Sequence, residues 1–243
     1  MTETTGQGRI LFLDEVRGFC ILCMILYHAL LLLDQFFSVP TAAALWHWLS
    51  YIQPLYVIAF VVISGISSRL SHSNWKRGLK LAVISIFITV ITVPVAHAVH
   101  FHGMEDYFGI LHCLASCILL FAATKGLLDK VKPETSIVVC VVLYGISTLF
   151  FPMTLDSSTN AFFWLGIHNT DFVSMDYCPL LPLVFPFFLG TFLGLFVKEG
   201  RIPDWTYRSH VRFFAFTGRH ALWIYLLHVP ILYGLFTLYF KLF

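Results

Sequence analysis

The stretch LDEVRGFCILCMILYH, residues 13–28, is apolar enough to cross a bilayer, yet it carries Asp14, Glu15, Arg17 and His28. The apolar run around it extends from Leu11 to Leu33, long enough as a helix to cover the ~30 Å of a hydrocarbon core. A barrel strand would need only ~10 residues and would alternate apolar with polar positions, which this run does not. The run is also too long and too interrupted by charge for the apolar region of a cleaved signal peptide, and the preceding MTETTGQGR is polar rather than basic. The stretch therefore reads as a retained membrane-spanning helix. Its charges need a reason, because ionisable groups inside a span are costly and belong by default to function.

The rest of the chain supports that reading. Of 243 residues, 58% are hydrophobic and 12% charged, with mean hydropathy +0.83; a soluble domain carries about twice that charged share. Apolar runs bounded by Gly, Pro and charge predict spans at about 10–33, 45–68, 78–99, 107–124, 135–152, 179–197 and 217–240. With the N-terminus inside, every Lys and Arg except Lys241 falls on the cytoplasmic side, as the positive-inside rule requires. The expected architecture is an all-α, polytopic integral membrane protein of about seven helices, N-terminus in and C-terminus out. No linker or soluble stretch interrupts it, so residues 1–243 are read as a single domain.

The six cysteines lie mostly inside apolar runs and behave as small hydrophobes. Cys20 and Cys23 form half of a zinc spacing without a second pair, so no metal is expected. The connections assigned to the outside are acidic and histidine-containing, with His100, His102, Glu105 and Asp106 in one and Asp156, Trp164, His168, Asn169, Asp171, Asp176 and Tyr177 in another. The latter, about 26 residues long, exceeds the usual structureless connection. Its aromatics and carboxylates suit a sugar or an amine, and equally an interfacial belt.

On a helix Asp14 and Arg17 are one turn apart on one face and can neutralise each other. Arg17 and His28 are separated by three turns, ~16 Å of rise, and lie within roughly 20° of the same face. A stripe thus runs from a cation near the inner surface to an imidazole in the outer half. TGRHALWIYLLHVP, residues 217–230, repeats the theme, with Arg219 and His220 opening the last span and His228 ~12 Å further along, just before Pro230. Snorkelling of Arg17 and ordinary interhelical hydrogen bonds of the two histidines are the bland alternatives. His112, near the outer end of the fourth span, reads as either a cavity residue or a core hydrogen bonder. His97, His100 and His102 read as solvated, and nothing is assigned to His72 or His210.

Arg9, LDEVRG (13–18), Met24 and His28 resemble the first helix of the transmembrane acyltransferases, whose bacterial branch is related to heparan-alpha-glucosaminide N-acetyltransferase. SGISSRLS (64–71), NWKRGLKL (74–81), YFGILHCLA (107–115), DYCPLLP (176–182) and GRHALWIYLLHVPIL (218–232) resemble further blocks in family order. The resemblance implies a multi-pass enzyme of the bacterial cytoplasmic membrane that takes acetyl from cytosolic acetyl-CoA as co-substrate. The acceptor would be an extracytoplasmic glycan amine or hydroxyl, and no nucleic acid is implied as a partner. In the wider superfamily an arginine and a histidine at the spacing of Arg17 and His28 mark the functional first helix. The lysosomal branch instead resembles an arrangement with the histidine in the first lumenal loop, for which His47 is the nearest candidate.

His28, Arg17, Asp14 and His47 are accordingly the candidate catalytic residues, with His28 preferred as base or as covalent acetyl carrier. Arg17, Arg69, Arg77, Arg219 and His228 are candidates for binding acetyl-CoA. Lys76 and Arg212 share the inner surface, but most of these cations read simply as orientation; Arg17 and Arg219, each beside a glycine, stand out. Asp176, Tyr177, Trp164 and His112 are the candidate acceptor-binding residues. The lipid bilayer is the constant partner, and a homodimer is compatible with a sequence that does not fix the oligomeric state. The competing reading is a small-solute or proton-coupled transporter with Asp14, His28 and His228 as proton relay; the lack of an inverted repeat weakens it. A third is an interaction protein whose buried polar groups are structural.

Overall fold

The computed structural model describes residues 9–98, 103–156 and 160–242. Its elements are α1 (Leu11–Phe37), α2 (Pro40–Leu70), α3 (Asn74–Ala98), α4 (Ile110–Leu128), α5 (Pro133–Thr148), β1 (Met153–Thr154), β2 (Ile167–His168), α6 (Leu180–Lys198), α7 (Arg212–Arg219) and α8 (Ala221–Leu242). Six helices, α1, α2, α3, α4, α6 and α8, are long and apolar enough to cross a membrane. The protein is an all-α, multi-pass integral membrane protein.

Two of the expected spans differ from the helices that form. The run 135–152 becomes α5, only 16 residues and ~24 Å long, because Pro152 disfavours helical geometry at the residue before it and Leu149, Phe150 and Phe151 leave the helix. The run 217–240 is broken at His220 (φ −101, ψ 14). Arg219 and His220 therefore end α7 rather than open the last span, and α8 starts afresh at Ala221. His100 and His102 lie outside the described residues, whereas His97 and His72 are exposed as expected.

The chain forms two compact units. The first comprises residues 1–60 and 200–243, with α1 packed on α7 and α8. α1 ends where Ser38 adopts the left-handed conformation (φ 52) and its N–H bonds back to the Asp34 carbonyl, and Pro40 then opens α2 at the one position where a missing N–H costs nothing. The α1 and α7 backbones meet at two glycines. A Cβ on Gly18 would stand 2.0 Å from the Phe214 carbonyl oxygen, and one on Gly218 would stand 1.8 Å from that of Asp14. Lipid tails are as apolar as side chains, so close backbone approach of this kind is what holds such helices together. Aromatic pairs add to it at both ends of the unit, Phe12 edge-on to Trp205 at 4.9 Å and Phe37 stacked on Phe240 at 4.7 Å.

The second unit comprises residues 61–199, with α3 on α4 and α5 on α6. Glycines again set the closest approach, Gly65 facing the Phe187 carbonyl oxygen and Gly190 that of Val62, each at 2.1 Å from an added Cβ. Arg69 is buried between these helices. Its Nε donates to the Thr191 carbonyl at 3.1 Å, Nη1 pairs with Asp129, and its guanidinium lies 5.0 Å from the Phe121 ring centroid. Outward side chains of α3 such as Val83, Phe87 and Val90 are exposed, the surface that a bilayer covers.

Candidate functional site

The charges of the opening stretch find partners within the first unit. Asp14 is buried and its two carboxylate oxygens accept separately, Oδ2 from Arg9 Nε and Oδ1 from Arg17 Nη1 at 2.9 Å. Glu15, also buried, holds the segment leading into α7. Its Oε1 accepts from Ser209 Oγ at 2.8 Å, the His210 N–H at 2.6 Å and the Val211 N–H at 2.9 Å. The adjacent acids thus do different work. Asp14 neutralises arginines, and Glu15 supplies an anion to backbone donors at the start of a helix, where the dipole favours it.

Deeper in the unit, His28 Nδ1 lies 2.9 Å from His228 Nε2, both rings being buried. His228 Nδ1 is 2.6 Å from the Tyr225 carbonyl oxygen, an acceptor only, so that nitrogen carries the proton. In the neutral ring His228 Nε2 then accepts, His28 Nδ1 donates to it, and the basic lone pair of His28 is placed on Nε2. A base whose tautomer is fixed by a second group, itself fixed by a third, is the arrangement that nucleophilic and general-base catalysis require. His47, the alternative, is exposed on α2 with its Nε2 3.2 Å from Tyr51 Oη, one turn away.

In the second unit the segment before α4 is zipped to the segment before α6: the Met175 N–H bonds to the Glu105 carbonyl, the Tyr107 N–H to Ser174 Oγ, and the Cys178 N–H to the Phe108 carbonyl. A cavity of about 410 Å³ opens between Gly103, Glu105, Tyr107, Asn160, Phe163, Asp171, Phe172 and Val173. Gly103, at φ +102, makes the turn that lets its N–H bond to Glu105 Oε2 at 2.6 Å. The Tyr107, Phe163 and Phe172 rings lie 5.6–6.4 Å apart, centre to centre. Burial, and then the neighbouring Glu105, push the Tyr107 phenol upwards, so it enters the cavity neutral.

The acceptor candidates from the sequence, Asp176, Tyr177, Trp164 and His112, are not among these lining residues, and three of them brace the segments beside the cavity. His112 Nδ1 accepts the Gly109 N–H at 3.2 Å, so its Nε2 donates to Thr89 Oγ1 at 3.1 Å, which in turn donates to the Asp106 carbonyl. Asp176 Oδ2 accepts the Ile110 N–H at 3.3 Å. Both therefore satisfy the first turn of α4. Tyr177 Oη donates to the Phe163 carbonyl at 2.6 Å, and Trp164 is 39% exposed. Asp106 is buried beside them with Oδ1 unpartnered among the described residues, and burial together with the Asp176 charge raises its carboxyl to about 8.

Among the donor candidates, Arg17 is committed to Asp14, Arg69 to Asp129 and Thr191, and Arg77 to Ser68 and Ser64, while Arg219 lines a separate cavity on α7. Sequence reasoning missed Glu15 and His210, and also Glu105 as a cavity residue. An adjacent acid pair at the start of a span was the available signal for Glu15; nothing local distinguishes the other two.

The family model for heparan-alpha-glucosaminide N-acetyltransferase, catalytic, matches residues 9–230 of the 243, a range that contains both histidines, both acids and the cavity. No curated protein and no solved structure matches the chain. Matched over nearly its whole length, the chain belongs to the heparan-alpha-glucosaminide N-acetyltransferase catalytic family of membrane acyltransferases.

Proposed function

We propose that this chain takes acetyl from cytosolic acetyl-CoA and delivers it to an amine or hydroxyl of an extracytoplasmic glycan or amine acceptor. The His28–His228 pair carries the reading. His28 Nε2 takes the proton of the acceptor heteroatom as that atom attacks the thioester carbonyl; the carbon–sulfur bond then breaks and the imidazolium protonates the departing thiolate. His228 positions His28, and His47, exposed and bonded to a tyrosine, is the weaker candidate. The cation distribution supports an inner N-terminus, an inner donor and an outer acceptor. The family match runs across both compact units and supports one functional domain.

Acceptor recognition is assigned to the cavity of Glu105, Tyr107, Asn160, Phe163, Asp171 and Phe172. Two carboxylates and three aromatic rings, with no lysine or arginine in the wall, suit a cationic amine presented beside hydroxyls. Asp176, His112 and Tyr177 hold its frame.

Proteoliposomes containing glucosamine and supplied with acetyl-labelled acetyl-CoA test the reading. Labelled N-acetylglucosamine and free CoA thiol are expected, with turnover lowered at least ~10²-fold in His28→Ala while acetyl-CoA still protects the variant against heat. Release of unmodified glucosamine from the vesicles without thiol release would make the protein a transporter instead. An acetyl mass increment on the His28 peptide after acetyl-CoA alone would replace the base by a covalent carrier.

A further inference from the structure

The short helix α7 presents Arg212, Ala215, Phe216 and Arg219 at positions i, i+3, i+4 and i+7, a single face. That face, with Ser209 just before it, lines a cavity of about 280 Å³. Both guanidiniums are exposed, and neither has a hydrogen-bond or ion-pair partner among the described residues. The two carboxylates that α1 brings to this region are engaged elsewhere, Asp14 by Arg9 and Arg17, and Glu15 by Ser209, His210 and Val211. Among the described residues the cavity is therefore positively charged without internal compensation. Ala215 is buried and small, so the floor between the two arginines is low. Phe213 and Trp205, 60% and 48% exposed, flank the segment with the amphipathic aromatic character of a membrane–water interface.

We propose that Arg212 and Arg219 form a two-armed phosphate clamp at the membrane interface. Planar guanidinium forks two turns apart match the oxygens of a phosphate or diphosphate group far better than a lone surface cation does. Two ligands carry that chemistry to this place: the adenosine bisphosphate end of a CoA thioester and the headgroup of an anionic phospholipid. The first source rests on the acetyl-CoA reading above; the clamp itself does not.

The purified full-length chain, delipidated in neutral detergent, is titrated separately with adenosine 3′,5′-bisphosphate and with micelles containing phosphatidylglycerol, and binding is followed by thermal shift and native mass spectrometry. Wild-type protein is expected to bind at least one probe. The R212Q/R219Q double variant should bind that probe about 10- to 100-fold more weakly, the loss of charge-assisted hydrogen bonds. R212K/R219K, which keeps the charge but not the fork, should fall between. R208Q, an exposed arginine on the same segment outside the cavity, should bind like wild type, and unchanged melting of the unliganded variants shows that folding is intact. Loss confined to the nucleotide identifies a coenzyme clamp, and loss confined to the lipid identifies a headgroup clamp. Wild-type affinity for both probes in the double variant, failure of wild type to bind either, or an equal loss in R208Q overturns the proposal. Wild-type protein that binds phosphate through this pair but transfers no acetyl to glucosamine sinks the acetyltransferase reading and leaves the clamp standing.

Discussion

The two units handle buried charge in opposite ways. In the first, Asp14, Glu15, Arg17 and His28 of the opening stretch each have a partner: Asp14 has two arginines, Glu15 three donors from residues 209–211, and His28 has His228, which is anchored on the Tyr225 carbonyl. In the second, Asp106 and Asp176 crowd the first turn of α4, and one oxygen of Asp106 is buried with no partner among the described residues. A satisfied network fixes protonation and geometry, as a transfer site needs. A crowded one is stabilised by holding a proton, so its stability follows pH.

The strongest way to break the contrast is to remove the frame of the first unit. Gly218→Val puts side-chain carbons where an added Cβ already stands 1.8 Å from the Asp14 carbonyl oxygen. Separation of α1 from α7 and a loss at or above the ~3 kcal/mol upper end for overpacking are expected, read as loss of monodisperse protein on size exclusion. Glu15→Gln keeps the size but removes the anion from three donors. It should cost about 1–3 kcal/mol and expose residues 209–219 to proteolysis, with α3, α4 and α6 unaffected.

His228→Ala sharpens the comparison without breaking the fold. His28 loses the partner that fixes its tautomer, so turnover should fall by about 10-fold or more with acetyl-CoA binding kept. The pH–rate profile should shift with it, a change that simple loss of packing does not produce. Next in size, Asp171→Asn in the cavity proposed for the acceptor should raise the acceptor KM several-fold while the donor KM stays put; equal effects on both would remove the cavity from acceptor binding.

The effect most specific to the second unit is on pH. The Asp106 carboxyl is raised in the folded state to about 8 from an ordinary 3.8. The folded chain therefore binds the extra proton, its contribution to stability is complete below pH ~4, and it is lost as the pH rises towards about 8. Melting temperature should fall across that interval in wild type, and Asp106→Asn should flatten the slope. A wild-type melting temperature that is flat from pH 5 to 8 would show the crowding to be harmless.

Much of this molecule is local and was readable as such. Apolar runs of spanning length, the cation asymmetry and the pairing of Asp14 with Arg17 at i and i+3 depend on a single helix and its periodicity. The placement of His28 and His228 on facing spans was legible in outline. The hydrogen bond that orders their tautomers was not, because it joins residues 200 apart and depends on the rotation of two helices about their axes. The same limit explains His112 and Asp176. As a histidine and a carboxylate near an outer loop they read as ligand groups, and the fold uses them to satisfy the free N–H groups at the start of α4.

Sequence alone determined the membrane, the helices and the residue types that the chemistry needs, since each follows from composition, period or spacing along one chain segment, and blocks in family order along the chain carry the family resemblance. Tertiary structure decided which of those residues act together. Only Gly18 and Gly218, by letting two backbones touch, bring Glu15 to the lead-in of α7 and leave Arg212 and Arg219 facing one cavity. The pairing of residues 105–108 with 174–178 brings Glu105 and Asp171 to one space, and the bond from Tyr177 Oη to the Phe163 carbonyl adds Phe163 to it. Contacts of that kind are set by side-chain volume and hydrogen-bond satisfaction between distant segments, quantities that no local period in the sequence encodes.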